Sequence, residues 1–293
     1  MRVMGKNRII AIISAIVVFM VSMCTYSSNA EAATSTRTYW RHDYSNTDLS
    51  SYYEYSLTTS TSETSVNSRV VIDDNDMIRD YDTAVVRLSI GGTGFIVGDH
   101  LIATAAHCVY NRTDDEFINF SIDIVSANNS TLLTVFPKYV HICSLYETVG
   151  YGRSPYDYAL IYVEEDLSEY GAFSLGLALD SYISNEGSVI VSGFPQEYPE
   201  NYEDLDWGIR FKAVGNILSE ENNEVMLRYD ADTAGGDSGG PVYIEEAYQV
   251  NGVLYENKAV IAINVSHYPD YNNGVRINND LLKFYGGNTY LTA

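Results

Sequence analysis

Residues 235–241 read Gly-Gly-Asp-Ser-Gly-Gly-Pro, and no other stretch of the chain says more about its fold and chemistry. Glycines on both sides of Ser238 let the backbone turn sharply, so that neighbouring N–H groups can point at one place. Such a loop is often only a tight turn. It is also a way to present a serine hydroxyl beside backbone donors, which is what acyl transfer requires.

Two other stretches contain the groups that activate a serine: residues 104–108 read Thr-Ala-Ala-His-Cys and residues 157–160 read Asp-Tyr-Ala-Leu. Each is ambiguous by itself, because a histidine or an aspartate next to a strand is often only a packing or turn residue. A serine hydroxyl is a weak nucleophile at neutral pH until a base such as imidazole takes its proton. A buried carboxylate orients the imidazole and stabilises its charged form. We therefore predict that His107 is the base, Asp157 the orienting acid and Ser238 the nucleophile.

Short apolar runs separated by turn-forming residues fill the chain from about Val70 onward, and they predict strands. The runs are Ala84–Ile90, Gly94–Val97, Leu101–Ala105, Phe117–Val125, Tyr158–Val163, Ser188–Ser192, Ile209–Ile217, Val225–Tyr229, Val242–Ile244 and Lys258–Val265. Many short strands with polar turns are typical of a β-sandwich or a barrel. One helix is expected over residues 280–285, with Asn278 or Asn279 as its cap and Gly286-Gly287 as its end.

The composition argues against several classes of function. The 293 residues include 17 Lys and Arg against 39 Asp and Glu, which gives a net charge of −22. Phosphate binding needs a basic face, so we expect no nucleic-acid partner, and anionic membrane surfaces are disfavoured. The five histidines show no paired metal-binding spacing, so we predict neither a metal nor a cofactor. Hydrophobic residues make up 46% of the chain, enough for a substantial core.

The first 32 residues have the pattern of a secretory signal peptide. Arg2, Lys6 and Arg8 precede an apolar run from Ile9 to Met23, and small residues follow it. The alternative is a membrane anchor, but the run is shorter than the roughly 20 residues of a spanning helix. We therefore predict that this segment is removed, that the protein is secreted to the extracellular space, and that no stable membrane association remains.

Residues 33–69 differ from the rest of the chain in composition and in hydrophobic patterning. They are rich in Ser, Thr and Tyr and sustain neither a helical nor a strand period. We read them as a solvated segment, which is either a propeptide or a flexible linker.

Two cysteines follow the signal peptide, Cys108 and Cys143. A secreted chain can carry a disulfide, and two cysteines allow one pairing. We expect this bridge, with two buried free thiols as the alternative, because the sequence does not show how close the two Cα atoms come.

The order His107, Asp157, Ser238, with the flanking residues quoted above, resembles the chymotrypsin-like serine peptidases, and most closely their bacterial glutamyl endopeptidase branch. Other matching pieces are Gly92–Ile96, Ser192–Pro195, Asp232-Thr233 and Asn273–Ile277. The resemblance covers about Val70 to Tyr285.

This resemblance implies an all-β fold of two six-stranded antiparallel Greek-key β-barrels with a C-terminal helix. The barrels would span about residues 70–170 and 171–278 of a peptidase domain at 70–293, with the triad in the cleft between them. In the family, the oxyanion hole is built from backbone N–H groups that map onto Gly236 and Ser238.

The resemblance leaves the substrate preference open. Glutamyl members have a threonine where this chain has Thr233, but their substrate-binding histidine aligns with Asn264. His267, three residues further on, could replace it, with Ser266 beside it in the pocket. In trypsin-like members an aspartate at the position of Asp232 binds Arg or Lys. We expect cleavage after Glu, with trypsin-like cleavage as the alternative.

The resemblance also suggests how the enzyme is activated. Chain cleavage after Arg69 would give Val70, or alternatively Val71, a new N-terminal amine. In chymotrypsin-like zymogens this amine pairs with the aspartate before the nucleophile, which is Asp237 here. The alternative is that Asp237 bonds only to local backbone N–H groups.

We therefore predict a secreted, monomeric serine endopeptidase that acts on proteins or peptides. One rival is a catalytically inactive relative that only binds a partner. Another is an esterase, although the nucleophile elbow of α/β-hydrolases has the pattern Gly-x-Ser-x-Gly between a strand and a helix. Ser238 instead precedes Gly-Gly-Pro and a predicted strand.

Overall fold

Strands make up most of the regular structure in the computed structural model, which describes residues 34–60, 78–146, 154–178, 180–196, 208–218, 223–250, 253–268 and 270–287. In chain order they are β1 (Thr34–Asp43), β2 (Tyr53–Ser60), β3 (Ile78–Arg79), β4 (Val85–Leu88), β5 (Gly92–Gly98), β6 (Leu101–Thr104), β7 (Tyr110–Asn111), β8 (Glu116–Phe117), β9 (Ile122–Val125), β10 (Thr131–Val135), β11 (Tyr139–Cys143), β12 (Ala159–Tyr162), β13 (Ser174–Leu175), β14 (Ser188–Gly193), β15 (Phe211–Asn216), β16 (Met226–Tyr229), β17 (Pro241–Val250), β18 (Val253–His267) and β19 (Asn272–Arg276). The α-helices among these residues are α1 (Asp180–Ser184) and α2 (Asn279–Gly287), and 3-10 turns form at Ala106–Cys108, Ser144–Tyr146 and Ser168–Tyr170. The predicted signal peptide and the predicted cleavage site at Arg69 and Val70 lie outside the described residues.

These strands form two large sheets. The first has nine strands in the order β10-β9-β4-β5-β6-β12-β11-β1-β2. The second follows the path β16-β19-β18-β17-β14-β15-β3, with β13 added in parallel to β18, and β7 pairs with β8 in a small separate sheet. The prediction of an all-β fold is confirmed.

Runs of β-branched and aliphatic residues explain why these segments are strands. All four residues of β6 are buried, and β4 and β9 are buried at three of four positions each. Burying a Val, Leu or Ile side chain contributes about 1.5–3 kcal/mol, so the sheets are held mainly by their inward faces. Most predicted strands recur with shifted ends; Tyr158–Val163, for example, is observed as Ala159–Tyr162. The run Phe117–Val125 is an exception, because it is divided between β8 and β9, which belong to different sheets.

The pairing of β6 with β12 brings two of the predicted catalytic residues together. These strands are antiparallel, with Thr104 opposite Ala159. The residues that follow β6 and those that precede β12 therefore lie at the same end of the pair. His107 belongs to the 3-10 turn just after β6, and Asp157 lies two residues before β12.

Residues 34–60 are structured, and the prediction of a solvated segment is wrong for this range. β1 and β2 form a hairpin, and β1 also pairs with β11 at the edge of the first sheet. Tyr39, Trp40 and His42 of β1 are buried.

The predicted disulfide between Cys108 and Cys143 is also wrong. Both residues are buried free thiols. The Cys108 thiol points towards the Ser238 carbonyl at 3.4 Å, whereas the Cys143 thiol points towards the Thr38 carbonyl at 3.8 Å. The two thiols thus face different segments, and each has its own acceptor.

The C-terminal helix is confirmed. α2 starts after Asn278, whose side-chain oxygen accepts a hydrogen bond from the Leu281 N–H at 3.1 Å. This satisfies one of the backbone donors that a helix start leaves without a partner. Leu281, Phe284 and Tyr285 are buried and attach the helix to the main hydrophobic core.

Candidate active site

His107 and Asp157 make two hydrogen bonds to each other. The His107 backbone N–H donates to Asp157 Oδ1 at 2.9 Å, and the ring Nδ1 lies 2.8 Å from Oδ2. The Asp157 side chain is 1% exposed, and that of His107 is 23% exposed. Because the Asp157 oxygen is the acceptor, Nδ1 of His107 is the donor, and in the neutral ring Nε2 keeps its lone pair.

This pair shifts the pKa of His107. Burial by itself lowers the pKa of the imidazole, because it disfavours the charged form. The charge of Asp157, the Cys108 thiol and the hydrogen bonds to both outweigh burial, so the pKa lies well above its usual 6.5. The site therefore favours the imidazolium that forms when His107 takes a proton.

Ser238 lies beside the base. Its carbonyl accepts hydrogen bonds from the Thr93 N–H at 2.9 Å and from the thiol of Cys108, the neighbour of His107, at 3.4 Å. Among the described residues, no hydrogen bond joins the Ser238 hydroxyl to His107. Such catalytic contacts are often long without substrate and tighten in the substrate complex.

The loop around Ser238 uses nearly all of its backbone groups within the protein. The bonds are Gln196 N to Gly235 O, Thr93 Oγ1 to Gly236 O, Asp237 N to Ala234 O, Gly239 N to Asn264 O, and Gly240 N and Asn264 Nδ2 to Asp237 O. The N–H groups of Gly236 and Ser238 have no partner in the part of the chain that the structure describes.

Both of these N–H groups point away from the anchored side of the loop. In a trans peptide the C=O and the following N–H point in opposite directions. The Gly235 and Asp237 carbonyls are held by Gln196 and by Gly240 and Asn264. The N–H groups of Gly236 and Ser238 therefore face the opposite side, where they are free to bind an oxyanion.

Two glycines of this loop have conformations that a side chain would disfavour. Gly236 has φ of +101° and Gly239 has φ of +85°. A Cβ at Gly236 would collide with the Phe194 carbonyl, and one at Gly239 would collide with Thr104 Oγ1 and the Thr93 carbonyl. These positions therefore require glycine, as the sequence suggested.

Thr93 holds the loop in place, a role that was not predicted from the sequence. It is fully buried on β5. Besides the two bonds that it donates to Ser238 and Gly236, its hydroxyl accepts the Phe194 N–H at 3.0 Å. Its carbonyl accepts the Thr104 hydroxyl at 2.6 Å. Through both its side chain and its backbone, Thr93 thus links β5 and β6 to the loop that contains Ser238.

Asp237, the residue predicted to take part in activation, is 4% exposed. Its Oδ2 accepts the Ala234 N–H at 2.9 Å, and its Oδ1 has no hydrogen-bond partner among the described residues. Burial raises the pKa of this carboxyl to about 7, although the Ala234 N–H partly offsets the rise. Val70, the predicted amine partner, lies outside the described residues.

The residues predicted to bind substrate fall into two groups. Asp232 is exposed, whereas Thr233 is buried and its hydroxyl lies 2.8 Å from Asn272 Oδ1. His267 is exposed, and its Nδ1 lies 3.0 Å from the same oxygen. Thr233 Oγ1 and His267 Nδ1 are therefore within about 6 Å of each other.

Asn272 was not predicted, since Asn272-Asn273-Gly274 looked like a simple turn. Its Nδ2 donates to the Ala231 carbonyl at 2.5 Å, which fixes the orientation of the amide. Its Oδ1 must then accept from both Thr233 and His267, so His267 carries its proton on Nδ1. The other ring nitrogen, Nε2, is directed away from Asn272.

Asn264 and Ser266 lie on β18, around a bulge. Asn264 is buried, its Oδ1 accepts the Tyr229 hydroxyl at 2.7 Å, and its Nδ2 donates to the Asp237 carbonyl at 3.0 Å. Asn264 thus supports the nucleophile loop, a role different from the substrate contact that we predicted. Ser266 is half-buried opposite Asn273.

Within the described residues, His, Cys, Asp and Glu do not gather in threes as a metal ion would require. Nor does any helix there have the length and apolar character needed to cross a bilayer.

Known proteins resemble this chain in both sequence and fold. A family model described as Trypsin matches residues 71–275. Glutamyl endopeptidase of Bacillus licheniformis is 28% identical over 205 residues, which cover 68% of this chain and 60% of that protein. A protein named extracellular metalloprotease, from Bacillus subtilis, is 28% identical over 215 residues, which cover 68% of this chain and 61% of the relative. The match thus spans about 60% of the length of these curated relatives.

A solved structure of Glu endopeptidase in complex with MPD matches with a TM-score of 0.58 at 18% identity, over 74% of this chain and 98% of that one. This similarity confirms the predicted chymotrypsin-like two-barrel fold. Since the family model covers more than half of the sequence, the chain belongs to the trypsin family of serine peptidases.

Proposed function

We propose that this protein is a secreted serine endopeptidase in which Ser238 forms an acyl-enzyme. The observation that carries the proposal is the combination of the His107–Asp157 pair with a serine loop whose only unbonded N–H groups, among residues 236–240, are those of Gly236 and Ser238. His107 takes the hydroxyl proton through Nε2 as Ser238 attacks the substrate carbonyl. The two N–H groups then stabilise the tetrahedral oxyanion. When this intermediate collapses, the peptide C–N bond breaks and the leaving amine takes the proton from His107 Nε2, which leaves the acyl group on Ser238.

The preference for Glu is part of this proposal, and two observations support it. The exposed Asp232 lacks the buried position expected of a carboxylate that binds Arg or Lys within a pocket. The ring of His267 is held beside Thr233, in the segment before the nucleophile. When protonated, its Nε2–H would donate a charge-assisted hydrogen bond to a substrate carboxylate.

The activation scheme completes the proposal. Cleavage after Arg69 would give Val70 an ammonium group. The unbonded Oδ1 of the buried Asp237 offers it a partner, since a buried carboxylate without a cation is costly. Pairing would supply the cation that this carboxylate of the Ser238 loop lacks.

Replacing Ser238 by Ala should abolish peptide hydrolysis while the circular dichroism spectrum and the melting temperature stay as in the parent. Substantial hydrolysis by the Ser238 variant would overturn the nucleophile assignment.

Asp157→Asn should lower turnover by about 10⁴, because the imidazole would then adopt the wrong tautomer. The matched control is Asp166→Asn, an exposed carboxylate on the same part of the chain, which should leave turnover unchanged.

The pH dependence follows from the raised pKa of His107. Protonated imidazole cannot act as a base, so kcat/KM should fall as the pH drops, with a midpoint above the usual 6.5. A pH profile from 5 to 9 on a short peptide substrate measures this midpoint. Asp157→Asn should move it downward, because the charge that raises the pKa is gone. A rate that stays flat between pH 5 and 8 contradicts the proposal.

Specificity can be tested with peptides that differ only at the cleaved residue: Glu, its neutral isostere Gln, and Arg. We expect Glu to exceed Gln by roughly tenfold or more in kcat/KM, the size of a charged hydrogen bond. His267→Ala should bring this ratio close to one, whereas His100→Ala, whose ring bonds the Glu165 carbonyl, should not. If Arg is preferred instead, and Asp232→Ser abolishes its cleavage, the trypsin-like alternative holds.

Asp237 should make the uncleaved protein pH-sensitive. Its raised pKa means that it contributes most to stability below about pH 4, its unfolded pKa, and that this contribution is lost as the pH rises through about 7. Melting temperatures of the uncleaved Ser238→Ala protein should therefore fall between pH 4 and 8 by more than those of the same protein carrying Asp237→Asn. Asp232→Asn is the exposed control. Equal slopes for the parent and the Asp237 variant would contradict the burial of an unpaired carboxylate.

A further inference from the structure

The hairpin of residues 34–60 lies outside the part of the chain that the trypsin-family model matches, which starts at residue 71. It nevertheless belongs to the same compact unit as the rest of the chain from Thr34 onward. Five residue pairs join β1 to β11, from Tyr39–Cys143 to Asp43–Tyr139. The hairpin thus extends the first sheet across what would otherwise be an edge strand.

Aromatic side chains of β1 pack into the peptidase core from both faces of the strand. Tyr39 is 1% exposed, and its ring stacks on that of Phe284 in α2, with 4.6 Å between centroids. Trp40, the next residue, points the other way and lies 6.0 Å from the Tyr110 ring. The ring of the fully buried His42 stacks on Phe117 at 4.9 Å.

Hydrogen bonds tie the hairpin to the same neighbours. The Tyr44 N–H donates to the Lys138 carbonyl at 3.0 Å, and the Phe117 N–H donates to the Leu49 carbonyl at 2.9 Å. The Ser144 hydroxyl donates to the Thr38 carbonyl at 3.0 Å. The contacts therefore run along both strand and turn.

The hairpin also touches both neighbours of the orienting acid Asp157. The Arg37 guanidinium lies over the Tyr156 ring at 5.2 Å and forms an ion pair with Asp280 of α2. The Tyr158 hydroxyl lies 3.4 Å from that of Tyr39, and both rings are buried. Removing the hairpin would open a cavity next to the residue that holds His107.

We propose that residues 34–60 are a permanent part of the active enzyme, and that they stay bound when the chain is cut between residues 60 and 78. The proposal goes beyond the peptidase activity itself and concerns what remains of the segment read as a propeptide. Residues 34–60 contain no cysteine, so the hairpin would be held by its packing and hydrogen bonds alone. The active enzyme would then be a single chain, or two chains that separate only on unfolding.

Mass spectrometry under denaturing conditions tests this on active enzyme purified under native conditions. We expect residues 34–60 in a one-to-one ratio with the segment that carries Ser238, either in one chain or as a separate fragment. Fully active enzyme that lacks these residues would overturn the proposal. The result does not depend on which bond is hydrolysed in substrates, so it is independent of the proposed specificity.

A second arm examines the contacts directly, without requiring activity. In the Ser238→Ala protein, residues 64–69 are replaced by the recognition sequence of a site-specific protease, and the chain is cut after folding. In native gel filtration the N-terminal fragment should co-elute with the larger one; its release, whatever the state of the larger fragment, would overturn the proposal. Tyr39→Ala should cause release. The control Tyr53→Ala should not, because Tyr53 lies in the same hairpin but is 64% exposed.

Discussion

The hydrogen bonds of Thr93 are the interaction on which the geometry of the candidate active site depends. Thr93 lies on a strand of the first sheet, yet it binds the carbonyls of Gly236 and Ser238 in the loop that leads into the second. The same side chain accepts the Phe194 N–H. Because all of these groups are buried or nearly so, losing one partner would leave polar atoms unsatisfied at a cost of about 1–3 kcal/mol each. Thr93 thus fixes the serine loop relative to the strand pair that carries His107 and Asp157.

This anchoring holds the Ser238 loop in one conformation without a bound ligand. Its carbonyls and most of its N–H groups are bound by Thr93, Gln196, Asn264 and the loop itself. Donors that are already oriented need no reorganisation when charge develops on the substrate, which is the basis of oxyanion stabilisation. Asp237 is the exception, because burial raises its pKa to about 7 and one of its oxygens is without a partner in the described residues. The loop around Ser238 therefore contains backbone N–H groups that are already oriented, together with one buried carboxyl, Asp237, that has an unbonded oxygen among the described residues.

The sequence predicted the parts of the fold that rest on apolar runs. Of the site residues in distinctive motifs, the structure brings His107 and Asp157 into hydrogen-bond contact. The sequence missed the hairpin because adjacent residues Tyr39 and Trp40 are buried on opposite faces of β1, so no alternating pattern appears in a Ser- and Thr-rich segment. It missed Thr93 and Asn272 because their roles come from contacts between residues far apart in the chain. The disulfide prediction was wrong for a similar reason. The positions of the two cysteines in the sequence do not show that their thiols face Ser238 and Thr38.

The central claim is that Ser238, held by Thr93 beside the His107–Asp157 pair, is an activated nucleophile. Incubation with a fluorophosphonate followed by peptide mapping tests it most directly, because an activated serine hydroxyl displaces fluoride from these reagents and becomes phosphonylated. We expect one phosphonyl group per active molecule, located on Ser238, and strongly slowed labelling in a Thr93→Val variant that still folds. Absence of labelling, or a label on another residue, would contradict it.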